Sequence, residues 1–144
     1  MCVRLICTIM VVLVAVHQAT AKAALSMDQI EKTAQTLRNT CTTKSNVDPG
    51  LVAGIQKGEF PDDRTLKCYS HCVMKSMRTF KNGRIDVDMM IKQMDMLMPP
   101  DMAAPLKESS VACGSAPPAG DDCETCYQFV KCSYEKDPNH FFFP

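Results

Sequence analysis

The 144-residue sequence predicts an all-α fold, a compact bundle of about six helices. Apolar residues recur at spacings of three and four along most of the chain, and no segment alternates β-branched and polar residues as a half-buried strand does. The third observation is the content of nine cysteines, which in a secreted chain indicates that disulfides hold the helices together.

Residues 1–21 are predicted to be a secretory signal peptide. One positive charge is followed by an apolar run over residues 5–16 and by an A-x-A arrangement at residues 19–21. The run is shorter than the roughly 20 residues that span a bilayer, and no later segment predicts membrane insertion. We therefore expect one secreted, extracellular domain over residues 22–144, with residues 136–144 as a C-terminal tail.

The first two helices are predicted from their N-terminal residues. Residues 26–29 form a capping box, and the apolar positions after it predict a helix over residues 27–41. Asp48 as N-cap and Pro49 at the first helical position predict a short second helix that ends near Gly58.

Two longer apolar stripes predict the third and fourth helices. The third helix is expected from Asp63 to Gly83, and its stripe is Leu66, Tyr69, Val73, Met77 and Phe80. Asp86 or Asp88 caps the fourth helix, which ends at Pro99. Its apolar face is Val87, Met90, Ile91, Met94, Leu97 and Met98.

A fifth helix is expected over residues 101–113, with Pro105 disturbing its beginning. After a loop rich in proline and glycine, Asp121 or Asp122 starts a sixth helix that continues through Tyr134.

The charge balance and the motifs of the sequence disfavour nucleic-acid binding and catalysis. The chain has 16 basic and 16 acidic residues, so it shows no sign of the basic surface that nucleic acid requires. No G-x-S-x-G, H-E-x-x-H or Walker motif is present, and only His71 and His140 follow the signal peptide. The sequence therefore predicts neither an enzyme nor a cofactor or metal site.

Seven cysteines follow the signal peptide, so one is left over if the others form bridges. Cys68 and Cys72 are one helical turn apart and share a face of the third helix. A bridge between them would close a very short loop, whereas bridges to two other helices would fasten three helices together, which the loop-entropy argument favours. Six cysteines allow 15 pairings, and spacing alone does not choose among them.

The spacing of six of these cysteines resembles the signature of insect odorant-binding proteins. The gaps are 26, 3, 40, 9 and 8 residues between Cys41, Cys68, Cys72, Cys113, Cys123 and Cys132. The segments LKCYSHC at 66–72 and DPNHFFFP at 137–144 resemble the subgroup whose C-terminal tail folds back over the ligand cavity. The resemblance implies helices around an apolar cavity, stapled by three disulfides: Cys41–Cys72, Cys68–Cys123 and Cys113–Cys132.

Cys126 stands outside that pattern and is predicted to be a free thiol; a covalent dimer through Cys126 is an alternative. Two other interpretations of the C-E-T-C segment are a thioredoxin-like redox centre, which the absence of strands disfavours, and a zinc site. The zinc ligands would be Cys68, His71, Cys123 and Cys126.

Ligand-contacting residues are predicted on two walls. Methionine suits a cavity because its unbranched, polarisable side chain adapts to varied shapes. The first wall is the stripe of Met90, Met94, Leu97 and Met98. The second consists of Val73, Met77 and Phe80 on the third helix with Phe129 and Val130 on the sixth. Such stripes are also typical of a core, and the resemblance is what favours the cavity.

The tail carries three consecutive phenylalanines. The resemblance implies that Phe141 and Phe142 contact the ligand and that His140 helps to hold the tail as a lid. Because histidine titrates near neutral pH, His140 is a candidate switch that loosens the lid in acid; the alternative is an ordinary surface histidine.

We therefore expect a secreted carrier that reversibly binds small hydrophobic molecules, odorants or pheromones, and transports them through an aqueous medium such as sensillum lymph to an olfactory receptor. No cofactor is implied, and a monomer or weak homodimer is expected. The alternatives are a non-enzymatic interaction protein that docks through its phenylalanine-rich tail, and a carrier of non-olfactory lipids.

Overall fold

A computed structural model describes residues 24–144, so the predicted signal peptide lies outside the described residues. This part of the chain forms six helices and one short hairpin, which confirms the all-α prediction. None of these helices is long and apolar enough to cross a membrane. The elements are α1 (Met27–Ser45), α2 (Pro49–Ile55), α3 (Arg64–Ser76), β1 (Phe80–Lys81), β2 (Arg84–Ile85), α4 (Val87–Leu97), α5 (Pro100–Gly114) and α6 (Asp122–Lys136).

Most helices begin at capping residues that the sequence predicts. The Ser26 hydroxyl accepts a hydrogen bond from the main-chain N–H of Gln29, whose side chain accepts one from the N–H of Ser26. The carboxylates of Asp63, Asp86 and Asp121 cap α3, α4 and α6, each accepting a main-chain N–H three residues further on. These bonds satisfy N–H groups that have no partner inside the helix, and so fix where each helix starts.

The predicted third helix is too long, and the prediction of no strand is wrong at the hairpin. α3 ends at Ser76, and Phe80 lies in β1. Arg78 has a φ of 59°, in the left-handed region, where a helix cannot continue. Asn82 and Gly83 have φ values of 52° and 73°, the pattern of a two-residue turn that matches the twist of a hairpin. The Asn-Gly pair is therefore a hairpin turn and not a helix stop.

The core lies between α3 and α6. Leu66, Tyr69 and Val73 of α3 and Val130 of α6 are fully buried. α1 also packs on α3, α5 packs on α6, and α4 packs mainly on α5.

Three disulfides hold these helices together. They are Cys41–Cys72 between α1 and α3, Cys68–Cys123 between α3 and α6, and Cys113–Cys132 between α5 and α6. This is the pairing that the resemblance implies. α4 and the residues after α6 carry no bridge, so noncovalent contacts alone hold them.

Candidate functional site

An apolar cavity of about 170 Å³ lies between five helices and the C-terminal residues. α1, α3, α4, α5 and α6 all contribute side chains to its wall, and residues 141–144 line the remaining side. Its volume is similar to that of an engineered cavity of roughly 150 Å³ that binds benzene. A molecule of about the size of one substituted ring therefore fits.

Nine of the predicted ligand-contacting residues line this cavity. They are Met77, Met90, Met94, Leu97, Met98, Phe129, Val130, Phe141 and Phe142. A place in the wall does not show contact with a ligand, so the binding role of these residues stays a prediction.

Val73 and Phe80 lie outside the cavity wall. Val73 is fully buried in the core. Phe80 belongs to β1 and has left the helical stripe, and its ring packs edge-on against His71 with centroids 5.1 Å apart. An apolar stripe predicts that its residues are buried, but it does not distinguish the core from a cavity.

Sequence reasoning missed the contributions of α1 and α5. α1 contributes Ile30, Ala34 and Leu37, and α5 contributes Leu106 and Ser110. The α1 residues form a recognisable apolar face, but nothing in their spacing shows what that face covers. Ser110 gives no signal in an apolar pattern at all.

The C-terminal residues are anchored by hydrogen bonds. The hydroxyl of Tyr69 donates a hydrogen bond to the main-chain oxygen of Pro144 over 2.6 Å. The side-chain amide of Gln56 donates one to the main-chain oxygen of Phe143. Burial raises the pKa of Tyr69 to about 12, so its hydroxyl keeps its proton and acts as a donor. Phe143 is 6% exposed and packs edge-on against Tyr69.

His140 lies at the surface, outside the cavity wall. Its side chain is 58% exposed, and its Nδ1 is 2.7 Å from a carboxylate oxygen of Asp137. The hydrogen bond with His140 lowers the pKa of Asp137. The Asp137 carboxylate also accepts the main-chain N–H groups of Asn139 and His140, so it fixes the turn between α6 and the tail.

The C-E-T-C segment at the start of α6 is neither a redox pair nor a zinc site in this structure. Cys123 is bonded to Cys68, which leaves neither sulfur free for Cys126 or for a metal. Across residues 24–144, no three His, Cys, Asp or Glu side chains are grouped so as to hold a metal ion. Cys126 is free and fully buried, and burial raises its pKa to about 12. A buried thiol with a raised pKa reacts slowly, which disfavours a covalent dimer through Cys126.

Known proteins share this sequence pattern and arrangement of helices. The PBP/GOBP family matches residues 23–136. The chain is 30% identical to General odorant-binding protein 72 of Anopheles gambiae over 122 residues, which is 84% of this chain and 100% of the relative.

Two solved structures extend the comparison. Odorant binding protein 5 of Apis mellifera has a TM-score of 0.80 and 45% sequence identity, covering 85% of this chain and 100% of that chain. Odorant Binding Protein 7 from Anopheles gambiae, with four disulfide bridges and in complex with an azo compound, has a TM-score of 0.65 and 26% identity over 75% of this chain and 85% of that chain.

Proposed function

Because the chain belongs to the PBP/GOBP family of odorant-binding proteins, we propose that it is a secreted carrier of small hydrophobic molecules, either odorants or pheromones. It binds them reversibly in the cavity and transports them through an aqueous lymph, such as sensillum lymph, to receptors. The observation that carries the proposal is the apolar wall that five helices and the tail form around one space.

Binding is driven by the removal of apolar surface from water. Each Å² of that surface contributes about 25 cal/mol, from which the costs of immobilising the ligand are subtracted. Met90, Met94 and Met98 on the α4 side of the cavity adapt their shape to the ligand, because methionine has three flexible bonds and no branch. Such a wall suits a carrier of several related molecules.

Residues 141–144 act as the lid of the cavity in this proposal. Opening the lid breaks the hydrogen bonds from Tyr69 to Pro144 and from Gln56 to Phe143, each worth about 0.5–1.5 kcal/mol. No disulfide has to break. His140 takes part through its contact with Asp137, which holds the turn that leads into the lid.

The burial of the tail argues against the alternative of an interaction protein that docks through its phenylalanines. Phe143 is buried, and Phe141 and Phe142 are half-buried against the cavity. A docking segment has to present its apolar side chains to the partner. A carrier of non-olfactory lipids would use the same cavity and differ only in its ligand.

The test is a titration of the folded, oxidised protein with a fluorescent apolar probe, followed by displacement with volatile alcohols and esters. We expect saturable binding that is lost when the disulfides are fully reduced, because the bridged helices form the cavity wall. Absence of binding in protein shown to be folded and oxidised would contradict the carrier proposal.

A variant that ends at residue 139 tests the lid. We expect it to bind the same probe but to release it faster, since the tail hydrogen bonds no longer oppose exit. An unchanged release rate would show that residues 140–144 do not close the cavity.

A further inference from the structure

We infer that the cavity selects apolar molecules that carry a hydroxyl group, alcohols and phenols, over carbonyl compounds and carboxylates of the same size. This inference rests on the proposed carrier function. It follows from the hydrogen bonds that the few polar side chains of the wall already make. These side chains are Thr33, Thr79, Gln93, Ser109, Ser110 and Ser133.

The five hydroxyl groups already donate their protons to the main chain. Thr33, Thr79, Ser109, Ser110 and Ser133 each donate to a main-chain carbonyl three to five residues earlier. A hydroxyl has one proton and two lone pairs. Once the proton is used, each oxygen offers a ligand only its capacity to accept a hydrogen bond.

The amide of Gln93 also bonds to the main chain. Its Nε2 donates to the main-chain oxygen of Met77 over 2.7 Å. Because a carbonyl can only accept, this bond identifies the nitrogen end of the amide, and Oε1 is the other end. Oε1 forms no hydrogen bond with any residue between 24 and 144, and Nε2 keeps a second N–H, so this amide offers a ligand one acceptor and one donor.

The wall offers no cation to a carboxylate. None of its described side chains is charged. Arg38 lies beside the hydroxyl of Tyr69 but does not line the cavity, and the Tyr69 proton is donated to Pro144. A buried charge is tolerated only when it is paired, so a carboxylate would leave water without compensation.

The free polar atoms of this wall are mostly acceptors, five hydroxyl oxygens and Gln93 Oε1 against one N–H of Gln93, and a ligand hydroxyl supplies a donor to them. A ketone, aldehyde or ester brings only acceptors, and the wall side chains offer it a single donor, the second N–H of Gln93. A neutral hydrogen bond of this kind changes affinity by roughly 2- to 10-fold. That is the preference expected for an alcohol over the matching ketone.

Three molecules of equal size test the inference by displacement of the fluorescent probe at neutral pH. 1-Phenylethanol, acetophenone and benzoate each have one ring and the same number of non-hydrogen atoms. We expect the alcohol to displace the probe at a concentration roughly 2- to 10-fold lower than the ketone, with benzoate the weakest. Equal potency of alcohol and ketone would overturn the inference, as would a benzoate that competes as well as the alcohol. Failure of the probe itself to bind would instead overturn the proposed function beneath it.

Two variants locate the acceptors, and a third is the matched control. Gln93→Leu removes the amide oxygen and Ser110→Ala removes a hydroxyl of the wall. Ser70→Ala removes a buried hydroxyl that bonds to its own helix in the same way but lies outside the cavity. We expect the preference for alcohol over ketone to fall towards one in at least one cavity variant and to stay unchanged in Ser70→Ala. A preference that survives in both cavity variants, or that falls in Ser70→Ala, would overturn the assignment.

Discussion

The two sides of the cavity are built differently. On the α3–α6 side, helices with fully buried side chains such as Tyr69 are joined by the Cys68–Cys123 disulfide. On the α4–tail side, α4 has one buried residue, Met90, and Leu97 is 42% exposed. Neither α4 nor the tail is bridged. The fold thus combines a cross-linked wall with a wall that can adjust.

α4 is held by a small number of polar contacts. The Gln93 amide donates to the main-chain oxygen of Met77, and Lys107 of α5 pairs with Asp95 of α4 at the surface. An exposed ion pair contributes little, typically about 0–1 kcal/mol. An element with few buried side chains, such as α4, opens at a lower free-energy cost than the core, so we expect ligand entry and adaptation on this side.

The largest difference between the two sides should appear in thiol reactivity. We expect Cys126, on the α3–α6 side, to react with iodoacetamide near pH 8 roughly a thousandfold more slowly in the native protein than in denaturant. Its pKa of about 12 leaves very little thiolate, whereas an unfolded cysteine has a pKa near 8.5. Mass spectrometry of the alkylated protein follows both rates.

A second thiol on the α4–tail side gives the matched comparison. Met94 is half-buried on α4, and we expect Met94→Cys to be alkylated well before Cys126 in the same protein. Equal rates at the two positions would mean that both sides open equally readily, and the comparison would fail.

Removal of the disulfide between α3 and α6 should cause the next largest effect, a loss of unfolding free energy. We expect the Cys68→Ser, Cys123→Ser double variant to lose about 2–5 kcal/mol of unfolding free energy in urea, because the bridge closes a long loop in the unfolded chain. The control is Cys126→Ala, which removes a buried sulfur without removing a bridge and should cost about 1 kcal/mol. Similar losses in the two proteins would show that the disulfide is not what stiffens this side.

The same substitution on each side gives a finer comparison. Met74 of α3 is 1% exposed, Met94 of α4 is half-buried, and both line the cavity. We expect Met74→Ala to cost about 2–5 kcal/mol of unfolding free energy. Met94→Ala should cost less than about 1.5 kcal/mol, because fewer neighbouring atoms contact its side chain. A larger loss of unfolding free energy at Met94 than at Met74 would show that the α4–tail side is the more tightly packed of the two.

The sequence predicts most of the fold because capping is local. Ser26 and Asp121 act on N–H groups within three residues, so the starts of α1 and α6 can be derived from a few positions. The end of α3 depends on the left-handed conformation of Arg78, which no apolar stripe indicates.

The cavity is less predictable than the fold because its wall depends on which helix faces meet. Met90 and Met94 are predicted as cavity residues from their stripe and residue type together with the family resemblance, which favours a cavity over a core. Ile30 of α1 belongs to an equally clear stripe, but its place opposite them depends on the packing of the whole bundle. The disulfide pairing likewise comes from the family resemblance, since the spacing leaves 15 pairings open.

The smallest expected effect concerns the turn that leads into the tail, and it tests the role of His140. The hydrogen bond with His140 lowers the folded pKa of Asp137 below its ordinary value near 3.9. The stability that this contact contributes is therefore present above roughly pH 4 and is lost as the pH falls through the folded pKa. Above that range the Asp137 carboxylate is ionised, and its hydrogen bond with His140 continues to hold the turn into the tail.

We accordingly expect the release rate of the fluorescent probe to stay constant between about pH 7 and 5, and to rise only below about pH 4. In His140→Ala, which removes the side chain whose hydrogen bond lowers the pKa of Asp137, the rise should begin at a higher pH. Folding is followed in parallel, because Asp63 and Asp121 also have lowered pKa values and their caps on α3 and α6 weaken in the same acid range. Faster release between pH 7 and 5 that disappears in His140→Ala would contradict this expectation and support a lid that loosens in mild acid.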